Sequence, residues 1–189
     1  MRSKFDEQLL QLNHEMIEMG ALCEEVIALS SQALTEGDTA LASKVAPLDS
    51  EIDDKEREIE NLCLKLLLRQ QPVARDLRQI SAALKMITDM ERIGDQAEDI
   101  AEIVAFLDGR QAENDALLKE MAKAVIQMVT ESVDAYVKCD IMLAKKVIAA
   151  DDVVDEQFAR VKQSLIGKIA ADPADGEYAL DLLMIAKYY

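Results

Sequence analysis

A chain of 189 residues, half of them hydrophobic (50%), carries enough apolar side chain for one sizeable core or two small ones, which excludes a disordered protein. Six glycines, three prolines and no tryptophan leave too little punctuation for a sheet protein, and the abundance of Ala, Leu, Glu and Lys predicts an all-α fold. The formal charge of −16 argues against a nucleic-acid partner, since phosphates are repelled and no basic run is long enough to reverse the field locally; metal cations or basic protein patches fit better.

The N-terminus, MRSKFDEQLL, meets Asp6 and Glu7 before any apolar run develops, and no later segment approaches the length of about eighteen apolar residues that a membrane span needs. A cytoplasmic protein without direct membrane insertion is expected. From Phe5 to Leu34, apolar residues recur at helical spacing (Leu9, Leu12, Met16, Met19, Leu22, Val26, Leu29, Ala33), so the first helix is long and amphipathic. His14, the lone histidine, lies on its polar side and reads as a surface residue, because histidine metal sites usually recruit a second His or Cys. Gly37 can take a left-handed position at the helix end, and Asp38 can cap the next start.

A second helix is expected from about Thr39 to Arg69, kinked near Ser43 to Pro47 because an interior proline removes a backbone bond and clashes with the preceding turn, with a helix that starts later as the alternative. A turn at Gln70-Gln71 leads through Pro72 into a third helix reaching about Leu107, and Asp108-Gly109-Arg110 breaks the chain. Helices near 114–137 and 141–170 follow, with a further start near Asp175. Helices of about thirty residues are about 45 Å long, the geometry of elongated three-helix bundles. Cys23, Cys63 and Cys139 form no CxxC pair and read as small hydrophobes in a reducing compartment.

The pattern repeats. Sliding 33–59 onto 135–161 without a gap matches Asp38 with Asp140, Leu41 with Leu143, Lys44 with Lys146, Val45 with Val147, Asp49 with Asp151 and Asp53 with Asp155. The chain therefore divides into a first three-helix repeat over 1–109 and a second over 110–189.

Within the third helix, Glu91, Asp95 and Asp99 follow one another at one-turn spacing, so like charges stack on one face. With 37 acids in the chain, about seven such pairs arise by chance, and one pair alone signifies a solvated face. A hairpin turning near residue 71, however, brings Asp49 and Asp53 to the height of Glu91 and Asp95. Such a group repels itself when poorly solvated, and an oxygen-seeking cation removes that cost. From the residues alone, a hard-cation site and a group of solvated surface acids both remain open. Gly94 costs about 1 kcal/mol relative to Ala in mid-helix, so a close helix approach is expected there. One histidine and no glycine-rich phosphate loop leave no catalytic constellation, and an enzyme is not expected.

Asp49-Ser-Glu-Ile-Asp53 on a second helix and DMERIGDQAEDIAE on a third, with the half repeated, resemble the PhoU family over the whole chain. The resemblance implies a tandem repeat of two antiparallel three-helix bundles whose acidic pairs bind iron or zinc clusters, or magnesium. The ligands implied are Asp49, Asp53, Glu91 and Asp95 in the first repeat, with Asp151 and Asp155 in the second. Leu183 to Tyr189 resembles the run leading into a second ERIGD-like motif, which implies an incomplete last helix and a crippled second site. It further implies a negative regulator of the phosphate-starvation response and modulator of phosphate uptake. Such a protein acts as an adaptor between the ATPase subunit of the phosphate ABC transporter and a membrane sensor histidine kinase, and as a homodimer. A metal-free structural adaptor and a metal-handling or storage protein are the alternatives; the latter is disfavoured by the lack of Glu-x-x-His motifs.

Overall fold

The computed structural model describes residues 2–69, 72–107, 109–110 and 116–189, and is helical with no strand among them. Helix α1 (Arg2–Glu36) is followed by a single turn, α2 (Thr39–Ala42), then α3 (Val45–Arg69) and α4 (Ala74–Phe106). The second half comprises α5 (Ala116–Lys138), α6 (Ile141–Ala171), a 3₁₀ turn at Pro173–Asp175 and α7 (Gly176–Tyr188). The expected turn at Gln70-Gln71, the break at Asp108 and the first two residues of the helix expected from 114 lie outside the described residues.

Of the stripe that the spacing predicts in α1, Leu12, Met16, Met19, Val26 and Ala33 are buried and Leu9, Leu22 and Leu29 are half-buried against the core, with Cys23 buried beside them. Their stripe packs on α3 and α4, and α1 also packs on α5, so the two halves share one continuous core. Gly20 makes that contact close: a Cβ there would stand 2.9 Å from Val133 Cγ2. His14 is exposed and faces Glu18 at 3.2 Å.

The repeat is reproduced at its corners. Gly37 takes φ 63°, the Asp38 N–H donates to Ala33 O at 3.0 Å, and the Asp38 carboxylate accepts from the N–H groups of Ala40 and Leu41. In the matching positions Cys139 takes φ 52°, the Asp140 N–H donates to Ala135 O at 2.9 Å, and Asp140 accepts from Met142 and Leu143. Cys139 is thus exposed at a left-handed turn. Only Cys23 and Cys63 are the buried hydrophobes expected, and burial pushes their thiols up to about 12 and about 11.

The second helix is not kinked but starts later, the alternative that Pro47 left open. Between Ala42 and Val45 the chain turns through Ser43 and Lys44, and Pro47 falls in the first turn of α3, where a missing N–H costs nothing. The equivalent position in α6 is Ala149, and α6 runs unbroken. α3 and α4 form the antiparallel hairpin that the spacing predicts: Thr88 Oγ1 donates to Glu56 Oε1 at 3.4 Å, so residues whose numbers sum to about 142 lie level. Beside this hairpin, an apolar groove of about 590 Å³ opens between α4 and the α5–α6 corner.

Candidate metal centre

Asp49 is the one carboxylate among the described residues that the fold buries. It lies at the edge of the α3 stripe formed by Val45, Ile52 and Ile59, on the side turned to α4, and retains 8% exposure. On α4 the facing stripe runs through Ile87, Met90, Gly94 and Ala97, all buried. Gly94 stands opposite the carboxylate: a Cβ there would collide with Asp49 Oδ1 and approach Ile52 Cδ1 to 3.3 Å. That Oδ1 is fully buried and has no hydrogen-bond partner, an expensive state for a carboxylate oxygen.

The surroundings make the state more costly. Burial, and then the charges of Glu98, Asp53, Asp95 and Glu91, push the Asp49 carboxyl up to about 6. Glu91 is also raised, first by burial and then by Asp95, Glu56 and Asp53, with Arg92 offsetting part of the effect. The hairpin therefore brings Asp49, Asp53, Glu91 and Asp95 to one height, as their numbering predicts. The nearby cations compensate the group only in part: Arg57 lies 2.9 Å from Asp54 and 3.4 Å from Asp53, and Arg92 lies 4.0 Å from Asp89.

A second acidic group on α3 shows how the chain neutralises such charge with its own residues. Between α1 and α3, Lys55 Nζ lies 2.9 Å from Glu15, 3.0 Å from Glu18 and 3.2 Å from Glu58. Burial disfavours its charge, but the hydrogen bonds to Glu15, Glu18 and Glu58 outweigh that and hold the ammonium above its usual range. Asp49 has no such lysine.

Glu98 and Glu56 belong to the group and were not among the residues singled out from the sequence. For Glu98 the signal was present, since Glu91, Asp95 and Glu98 follow the i, i+4, i+7 rule for one helix face. Asp99 points elsewhere: its charge, ahead of burial, raises the phenol of Tyr188 on α7. Asp151 and Asp155 are both exposed on α6, which contains no buried residue from Ile141 to Arg160. Among the described residues, no three Asp, Glu, His or Cys side chains stand in a ready-made ligand geometry, in either half. The chemistry of the first group nonetheless suits a hard cation. Its donors are carboxylate oxygens only, one of them buried and unpartnered, and its charge is compensated within the chain only in part, by Arg57 at Asp53 and Arg92 near Glu91.

The profile of the PhoU domain family matches residues 16–104 and again residues 118–189. A phosphate-specific transport system accessory protein PhoU homolog from Aquifex aeolicus is 35% identical over 191 residues, covering 98% of this chain and 85% of its own length. A homolog of the same description from Clostridium acetobutylicum is also 35% identical, over 99% of this chain and 86% of its own. The crystal structure of PhoU from Pseudomonas aeruginosa superposes with a TM-score of 0.89 at 29% identity, over 97% of this chain and 89% of that one.

Proposed function

Because the chain belongs to the PhoU family, we propose that it is a regulatory accessory of phosphate-specific transport, which represses the phosphate-starvation response when phosphate is plentiful. The observation that carries this reading is the family match in two copies over nearly the whole chain, beside relatives named for that transport system. On this reading the protein is an adaptor and not an enzyme: its long helical faces contact the ATPase subunit of the transporter and a membrane sensor histidine kinase. Docking of helical faces needs no reactive side chain.

The carboxylate group between α3 and α4 is read as a metal centre. Asp49, Asp53, Glu91 and Asp95 are its proposed ligands, with Glu98 added from the surroundings of Asp49. Bound there, a hard cation such as magnesium or iron would supply positive charge to a group that Arg57 and Arg92 neutralise only in part, pinning α3 to α4. The unpartnered Asp49 Oδ1 supports this, and the side chains would have to draw together to ligate. Asp151 and Asp155 are proposed as the matching half-site of the second repeat. A phosphate-regulated reporter in cells lacking the protein tests the regulatory reading. Expression in high phosphate is the expected result, whereas continued repression would sink it.

A further inference from the structure

The charge of this chain is unevenly placed. Residues 61–85 hold five basic residues, Lys65, Arg69, Arg75, Arg78 and Lys85, against the single acid Asp76, in a protein of net charge −16. The expectation that no basic cluster reverses the field locally therefore fails in this segment, which contains the end of α3 and the start of α4. The same end of the molecule carries the α5–α6 corner: Tyr136 of α5 donates its hydroxyl to Gln79 O of α4 at 3.3 Å, and Arg75 and Arg78 line one groove with Cys139 and Ile141.

Large apolar side chains are exposed around this end. Leu68 is 85% exposed and Val73 62%, and by the hairpin register they lie side by side, as do Leu64 and Leu77 one to two turns further in. Ile141, at the other corner, is 70% exposed. Exposed leucines cost free energy unless something covers them, and a cluster at one end marks an interaction surface. Among the described residues Lys65, Arg75, Arg78 and Lys145 have no ion pair, so their charge is free to meet an external anion.

We propose that this end of the bundle docks on an anionic lipid surface, with the exposed leucines among the headgroups and the unpaired cations on lipid phosphates. Charge complementarity selects the occupant. A nucleic acid would leave the leucines in water. A rigid acidic protein would have to match two convex helix corners, whereas a compliant bilayer surface meets both at once. Acids do stand at this end, Asp76 and the cap Asp140 among them, but between 61 and 85 the basic residues outnumber the acid, and the carboxylates around Asp49 lie about 22 residues, or about 30 Å, from the end of the hairpin, several Debye lengths of about 8 Å away. No described helix is long and apolar enough to cross a membrane, so the contact is peripheral. The inference goes beyond the regulatory reading and stands without it.

Sedimentation of the full chain with lipid vesicles tests it, and is independent of the reporter assay. Vesicles of phosphatidylcholine with about a third phosphatidylglycerol should carry the protein down at about 0.1 M salt, and phosphatidylcholine alone should not. Replacing Arg75→Gln with Arg78→Gln, both exposed and unpaired, should lower the partition coefficient about tenfold or more. Leu68→Asn should lower it severalfold at unchanged charge, whereas Lys119→Gln, on α5 away from this end, should leave it unchanged. No sedimentation with anionic vesicles, equal binding to neutral ones, or unaltered binding by the double variant would overturn the proposal.

Discussion

Gly94 of α4 lies directly against the carboxylate of Asp49 on α3, close enough that any Cβ at position 94 would occupy the space of Asp49 Oδ1. One contact thus explains a helix-weakening glycine and a buried, unpartnered acid together. Intrinsic propensity predicts that Gly94→Ala stabilises α4 by about 1 kcal/mol. The collision predicts the opposite sign, a loss of about 1–3 kcal/mol, because the neighbour is a buried side chain already packed against Ile52. Urea denaturation should show the loss, and Asp49→Ala in the same chain should remove most of it. Additive effects of the two substitutions would show that the contact is not what requires the glycine.

The pH dependence of stability should carry the signature of Asp49. Its native carboxyl, near 6, lies above the unfolded value of about 3.9, so the native state holds the proton more tightly. Its contribution is therefore fully present below about pH 4, is lost as pH rises to about 6 and is flat above that. Without added metal, Asp49→Asn should stabilise the protein by about 2 kcal/mol at pH 7 and by little at pH 4. Urea melts of both proteins across that range measure the difference, and a gap independent of pH contradicts the assignment.

Lys55 should be worth more than an ordinary surface lysine. Lys55→Met leaves Glu15, Glu18 and Glu58 facing one another without their cation, and should cost about 1–2 kcal/mol at low salt. The cost should shrink as salt screens the remaining repulsion. Thermal melts at two ionic strengths give both quantities.

Cys139 occupies the place that glycine takes in the first repeat. A non-glycine residue at positive φ pays about 1–2 kcal/mol in backbone strain, part of which glycine returns as unfolded-state entropy. Cys139→Gly should raise stability by about 0.5–1 kcal/mol, and Gly37→Ala should lower it. Paired urea midpoints test the equivalence of the two corners.

Much of this architecture was legible in the residues. The 3.6-residue spacing of α1 marks a helix that is buried along one side, and the gapless match of 33–59 with 135–161 anticipates Asp38 and Asp140 as equivalent caps. The height at which Asp49 meets α4 follows from the hairpin turn alone. Other features depend on tertiary contact. Whether Asp99 or Glu98 faces the group is decided by where α3 and α7 sit around α4, which one helix cannot report. Pro47 could kink a long helix or begin a new one; the turn at Ser43-Lys44 settles it by giving proline a first-turn position. The basic end was hidden because a net charge of −16 averages over the whole chain.

On the proposed function, α3 and α4 would hold a cation between them. Metal content of purified protein, measured by elemental analysis after dialysis and refilling with magnesium, iron or zinc, should show metal retained by the native chain. A variant carrying Glu91→Gln and Asp95→Asn should have lost most of it. Equal metal content in the two proteins, or none in either, would contradict the account and leave the group as acids neutralised by water and salt alone.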